Sequence, residues 1–241
     1  MKEKVEKILR FWLKLLAGIF VAALFFAFCG AAYAGDKEEA QSIIDKAKGT
    51  LTDMTSNEAF SWLSQYLKSA RGVLIFPSVL KAGFFLGGSG GSGVLLVHDM
   101  ASGGWSEPAF YTLGSVTFGL QIGGESAEVV MLAMNQKAID SLLSSSVKLG
   151  GDASVTIGPI GGGAKGAVTI PAVTADFVSF TKTEGLYAGL NLEGSVLAVR
   201  DSLNSAYYGK TSTPKDIIIR KDVGNPAANG LRETIKRDSN K

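Results

Sequence analysis

Residues 72–77 read Gly72-Val73-Leu74-Ile75-Phe76-Pro77, a short and nearly continuous apolar run that ends in proline. Successive side chains of a strand point to opposite faces, so a run apolar on both faces predicts a strand buried on both sides. The residues before it keep a different period. From Asp36, the apolar positions Ala40, Ile43, Ile44, Ala47 and Leu51 recur at helical spacing, with Lys37, Glu38, Glu39, Asp45, Lys46 and Lys48 on the other faces. That pattern predicts an amphipathic helix ended by Gly49. A second helix is expected from Asn57 to Ala70, capped by Ser56, with Ala59, Phe60, Leu63 and Leu67 inward.

After the apolar run the chain reads as short strands and turns. Ala82–Leu86 and Val94–His98 flank a Gly/Ser-rich loop at Gly87–Gly93. Val116, Phe118, Leu120 and Ile122 alternate with Ser115, Thr117, Gly119 and Gln121, the signature of a half-buried strand. Val129–Met134 is a further apolar run, and Asn135–Leu143 reads as a short helix with Ala138, Ile139, Leu142 and Leu143 inward. Strands are expected at Ala153–Ile157, Ala167–Ile170 and Ala175–Thr181. A longer alternation then puts Leu186, Ala188, Leu190, Leu192, Val196 and Ala198 on one face, and Asn225–Lys241 adds a last helix through Leu231 and Ile235. The expected class is α+β, with N-terminal helices packed on a mainly antiparallel, glycine-rich β-sheet that is either open or closed into a barrel.

Composition narrows the function. Of 241 residues, 46% are hydrophobic and 19% charged, which excludes a disordered chain. Glycine, at 30 residues, is about 12% against an average near 7%, and with no Gly-X-Y period the excess belongs to turns and close strand packing. One cysteine and one histidine argue against a zinc site and allow no internal disulfide, so no metal and no cofactor is expected. The first 34 residues stand apart. Lys2, Lys4, Lys7, Arg10 and Lys14 precede the uncharged apolar run Leu15–Phe28, and Ala32-Tyr33-Ala34 before Gly35 has the spacing of a signal-peptidase site. Residues 1–34 therefore read as a signal peptide and 35–241 as a single exported domain of the periplasm or cell envelope. An uncleaved anchor over Leu15–Ala34 is the alternative. Removing the leader takes 5 of the 24 basic and 2 of the 22 acidic residues, and the net charge falls from +2 to −1. Neither value suits a nucleic-acid binder.

Motifs that match catalytic patterns fail on context. Gly87-Gly88-Ser89-Gly90-Gly91 matches a nucleophile elbow, but the strand-like Val94-Leu95-Leu96-Val97 follows where a helix is required. Gly88, Gly90 and Gly93, and again Gly161, Gly163 and Gly166, match the dinucleotide fingerprint. Both lead into β-branched residues, so turns are expected, with an anion-holding nest of N–H groups as the option. His98 and Asp99 are neighbours and on a strand would point to opposite faces. Glu125 and Glu128 have no second acidic cluster beside them. No enzyme is expected.

Several blocks together resemble one known family. Ser69-Ala70-Arg71-Gly72-Val73-Leu74-Ile75-Phe76-Pro77, Lys81-Ala82-Gly83-Phe84 and Gly90-Gly91-Ser92-Gly93-Val94 are similar to the opening of the SYLF domain, a lipid-binding module. The likeness continues through Trp105-Ser106-x-Pro108, Gly119-x-Gln121-x-Gly123-x-Glu125, Leu149-Gly150-Gly151-Asp152 and Gly158-Pro159-Ile160-Gly161. It closes with Gly185-Leu186-Tyr187-Ala188-Gly189 and Asn204-x-x-Tyr207-Tyr208-Gly209, covering about residues 36–235. The resemblance implies a non-catalytic lipid- or membrane-binding domain for anionic headgroups, phospholipid or phosphoinositide-like. The alternative is a structural or protein-interaction domain of the envelope. Eukaryotic members are linked to phosphoinositide-rich membranes and, in fungi, to actin. For an exported chain lipids are the expected partners, actin is not, and protein partners are open. Headgroup contacts are expected from Lys68, Arg71, Lys81 and Lys165, and apolar insertion from Ile43, Ile44 and Leu51 of the first helix.

Overall fold

The computed structural model describes residues 35–83, 86–100, 102–118, 123–159, 174–183 and 192–240. Residues 35–56 are helical (α1). The helix runs through Gly49, the end that the spacing predicts, because Thr50, Leu51 and Met54 beyond it are all buried. Packing of those side chains outweighs a glycine penalty of about 1 kcal/mol. Asn57, one residue past the expected cap, accepts a hydrogen bond from the Ala59 amide at 2.9 Å and opens a short 3-10 turn, Glu58–Phe60. Helix α2 (Ser61–Ser69) continues from it.

The sheet is built from β1 (Gly72–Gly83), β2 (Leu86–Asp99), β3 (Gly104–Trp105), β4 (Ala109–Phe118) and β5 (Gly123–Ala133). It is completed by β6 (Ser146–Lys148), β7 (Val155–Ile157), β8 (Phe177–Thr183) and β9 (Val196–Val199). Hydrogen-bonded neighbours follow the order β6-β9-β4-β2-β1-β5-β8-β7, with β3 paired off on β2. All pairs are antiparallel except β7 on β8. The sheet curls into a half-barrel, and helices α3 (Gln136–Leu142), α4 (Asp201–Tyr208) and α5 (Asn229–Ser239) follow it in sequence or pack on it.

Strand alternation sorts the apolar residues into two cores. Val73, Ile75, Val94, Leu96, Phe110, Val130, Leu132, Val178 and Phe180 face α1, α2, α4 and α5. Leu74, Phe76, Leu95, Tyr111, Leu113, Val129, Met131 and Phe177 face α3 and the buried Ile217 and Ile218 of a π-helical turn, Lys215–Arg220. Residues 72–76 therefore occupy a strand buried on both sides, as their composition predicts.

Three expectations are corrected. Strand β1 does not stop at Pro77. Between Phe76 and Val79 it spends one residue more than β5 opposite, and it does the same against β2 between Ile75 and Leu80. This is a bulge, the place where a strand tolerates a residue without an N–H. The stretch Gly87–Gly93 is not a loop but the first half of β2, paired with β1 on one side and β4 on the other. A Cβ on Gly91 would sit 2.2 Å from the Ser78 carbonyl oxygen, and one on Gly93 would sit 2.3 Å from that of Ile75. The glycines are what let β2 close against the bulge. Finally, Leu197 is buried while Val196 is exposed, opposite to the alternation expected there. A turn through Gly194, at φ +82°, resets the phase after Leu192. Expected strand residues 167–170 and 186–190 lie outside the described residues.

Candidate functional site

A cavity of about 580 Å³ opens where the end of β2, strand β3, the start of α3, the π-helical turn and α5 meet. Its position follows from the ladder. His98 and Trp105 are opposite each other in the β2–β3 pair, and their rings stack at 5.0 Å with an interplanar angle of 20°. The Arg71 backbone is fixed on both sides: its amide donates to the Ala133 carbonyl and its carbonyl accepts from the His98 amide, each at 2.8 Å. Arg71 thereby projects from the base of β1 into the cavity lining beside Gln136. Asn135 caps α3 by accepting from the Ala138 amide at 2.9 Å, which presents Gln136 and Ile139 to the same space.

The far wall comes from the C-terminal segment. Asp216 accepts from the Thr213 amide at 2.9 Å and hydroxyl at 2.6 Å, and it pairs with Arg220 across the turn. The Thr213 bonds, with Arg220 beside them, hold its carboxyl below the usual carboxylate range. The turn ends at Lys221, whose φ of +56° is the only positive value on a non-glycine residue among those described. A left-handed lysine is strained, and such strain gathers at functional sites. Its ammonium meets Asp99 at 2.7 Å. Arg232 of α5 donates through Nε to the Trp105 carbonyl and through a terminal nitrogen to Glu107, both at 3.0 Å. Met100 and Ile219 stand at the mouth, 65% and 59% exposed.

Of the residues the sequence singles out for lipid contact, the structure joins only two neighbours. Lys68 is exposed in the last turn of α2, and Arg71 lies just beyond it. Lys81 is ten residues farther along the same continuous strand, which at about 3.3 Å per residue puts it roughly 30 Å away. Lys81 therefore does not share a surface with Lys68 and Arg71. Lys165 lies outside the described residues. Ile43, Ile44 and Leu51, expected to face a membrane, are 7%, 1% and 0% exposed and belong to the core beneath α1. Helix α1 is held there by Lys182 of β8, which bridges Asp53 and Glu128, and by a Thr50 hydroxyl donating to Glu128 at 2.5 Å. Helical periodicity cannot tell an apolar face turned to lipid from one turned to a sheet.

The remaining motifs resolve as structure. Ser89 shares a hydrogen bond with Ser115 at 2.7 Å inside the β2–β4 ladder, where no nucleophile elbow exists. With β2 paired on both sides through Gly88 and Gly90, the ladder takes the place of the expected turn and of its alternative, a nest of free N–H donors. The second glycine fingerprint, 161–166, lies outside the described residues, as does the Glu125 side chain. Among the described residues, no three His, Cys, Asp or Glu side chains gather where they could hold a metal ion. The cavity draws on residues spread from 71 to 232: the sequence singles out Arg71, His98, Asp99, Trp105 and Ser106, but not Ile217, Ile218, Lys221 and Arg232, because no local spacing joins these to the rest.

Comparison with known proteins supplies the family. Residues 114–238 match the family model described as Ysc84: Las17-binding protein actin regulator. The chain is 34% identical over 173 residues to Protein YSC84 of Saccharomyces cerevisiae, covering 70% of this chain and 36% of that protein. It is also 34% identical over 173 residues to LAS seventeen-binding protein 3 of the same species, and 33% identical over 162 residues to SH3 domain-containing YSC84-like protein 1 of Mus musculus. Those matches cover 70% and 67% of this chain and 37% and 46% of the two relatives, so the chain spans between a third and a half of their lengths. The expectation that lipids are the partners and actin is not is corrected by these descriptions: the family is described as an actin regulator that binds Las17, and one yeast relative is named for binding Las17. The chain belongs to the Ysc84 (SYLF) domain family.

Proposed function

We propose that this domain is a non-catalytic binding module that engages a protein partner through the mouth of the C-terminal cavity. The observation that carries the reading is the composition of that mouth. Met100 and Ile219 are exposed apolar side chains, and the turn that carries Ile219 also carries the exposed Lys215 and Arg220, the latter paired with Asp216 on the same turn. Exposed apolar groups bordered by cations are what an acidic, partly apolar surface recognises. The names of the relatives support a protein partner, and filamentous actin is the first probe because the family description prints it.

A second reading, anionic lipid headgroups, is favoured by the same turn, since an exposed isoleucine among basic residues also suits a membrane interface. Of the sequence-derived headgroup contacts, Lys68 and Arg71 stay with this reading because both lie at the cavity end of β1. Co-sedimentation with filamentous actin and flotation with acidic vesicles are the two arms, each run on the unaltered chain and on Lys215→Glu/Arg220→Glu. Binding in either arm that falls at least tenfold in the variant supports the mouth as the contact surface. Equal binding by the variant, or binding in neither arm, overturns it. For residues 1–34 we propose an export signal: N-terminal sequencing of the exported protein begins at Gly35. A product that keeps Leu15–Phe28 contradicts cleavage.

A further inference from the structure

The interior of the cavity carries an inference separate from the mouth. Its volume of about 580 Å³ falls in the range of small-molecule sites. One wall is aliphatic, formed by Val97, Ile139, Ile217, Ile218 and Val223. The charged groups on the lining are Arg71, Lys221 and Arg232 against Asp99 and Glu107. Lys221 is neutralised by Asp99 and Arg232 by Glu107, which among the described residues of the lining leaves one uncompensated positive charge, on Arg71. Among the described residues, the Arg71 guanidinium makes only a long contact, 3.5 Å, to the Gln136 side-chain oxygen. On the same lining Trp105 is 3% exposed, and its indole N–H meets no acceptor among the described residues. Trp105 stacks on His98, which also lines the cavity, so its indole signal reports on that wall.

From this combination we infer that the cavity is a binding site for a small amphipathic carboxylate, an aliphatic body bearing a single negative charge. The aliphatic wall takes the body. The guanidinium of Arg71 takes the carboxylate through charge-assisted hydrogen bonds. A single charge is specified because the lining has a net charge of +1. A phosphate dianion would leave an excess negative charge beside Asp99 and Glu107. This inference does not depend on the actin or vesicle reading.

The test is an NMR titration of the full chain, following the indole N–H signals, with decanoate, decanol and decyl phosphate as probes below their micelle concentrations. The Trp105 signal is assigned as the one lost in Trp105→Phe. The expected result is a saturable shift of that signal with decanoate, at least tenfold weaker binding of decanol, and weaker binding of decyl phosphate than of decanoate. Arg71→Gln is expected to weaken decanoate about tenfold and to leave decanol unchanged. No saturable shift with decanoate overturns the site. Equal affinity for decanol, or undiminished decanoate binding by a folded Arg71→Gln variant, overturns the role of the charge. Tighter binding of decyl phosphate overturns the single-charge specificity. The decanol and decyl phosphate arms use the unaltered protein, so neither depends on how the variants fold.

Discussion

The two ends of strand β1 make opposite use of the backbone. At the glycine end, β2 passes so close to the β1 bulge that a Cβ on Gly91 or Gly93 would penetrate a carbonyl oxygen. No space is left for a ligand, and the backbone groups are spent on the ladders to β1 and β4. At the other end, beyond Arg71 and His98, the sheet gives way to a cavity bounded by a π-helical turn and a left-handed lysine. Glycine-rich motifs attract functional readings, yet here they serve close packing. The site joins short stretches that the sequence scatters, such as Arg71, His98-Asp99 and Trp105-Ser106, with a C-terminal segment that no motif marks.

The glycine end breaks most easily. Gly93→Val places methyl groups against the Ile75 carbonyl and the Phe76 ring, and β1 and β2 cannot both keep their register. A loss of about 3 kcal/mol or more is expected, a fall in melting temperature of roughly 10 °C by calorimetry. An unchanged melting temperature would mean that β2 has room there.

The cavity end is held more loosely, by polar ties. Asp176 accepts from Lys137 at 2.8 Å, from Asn135 at 3.0 Å, and from the Ser154 amide and hydroxyl at 2.9 Å, so it anchors the helix that supplies Gln136 and Ile139 to the cavity. Burial pushes its carboxyl up, but the Lys137 ammonium and the Ser154 and Asn135 donors outweigh that and hold it well below the usual range. Its stabilisation is therefore complete above the unfolded value near pH 4 and is lost as the pH falls toward the depressed folded value. Asp176→Asn is expected to lower stability by about 2 kcal/mol at pH 7, and the gap to the unaltered protein should narrow in denaturant titrations below about pH 4. A gap that is constant with pH would contradict the assignment.

The sequence made one of these ends legible and concealed the other. Residues 72–76, apolar on both faces, and the spacing of Ala40, Ile43, Ile44, Ala47 and Leu51 report burial directly, because periodicity is a consequence of which faces meet. That signal names a buried face without naming its neighbour, which is why α1 reads equally as a membrane helix. Pro77 and the Gly/Ser run read as breaks because a bulge and a close ladder depend on the opposing strand, not on the residues themselves. The cavity required Arg71, Trp105, Ile218 and Arg232 to be brought together by the fold, and spacing carries no trace of that.

The smallest expected effect sharpens the comparison at Lys221. Relief of left-handed strain in Lys221→Gly is offset by the added freedom of the unfolded chain and by loss of the exposed pair with Asp99, so stability should stay within about 1 kcal/mol. Lys221→Val, which cannot adopt that backbone easily, should lose about 1–2 kcal/mol in the same denaturation assay. Equal stability of the two variants would show that the turn relaxes freely.

Hydrogen–deuterium exchange of the full chain with and without filamentous actin, and with and without acidic vesicles, tests the central assignment of the binding surface most directly. The account predicts slowed exchange on binding in segments 98–107 and 210–223, with 87–93 unchanged because its amides are already held in the ladder. Slowed exchange confined to α1 or to 87–93, or no change with either ligand, would contradict it.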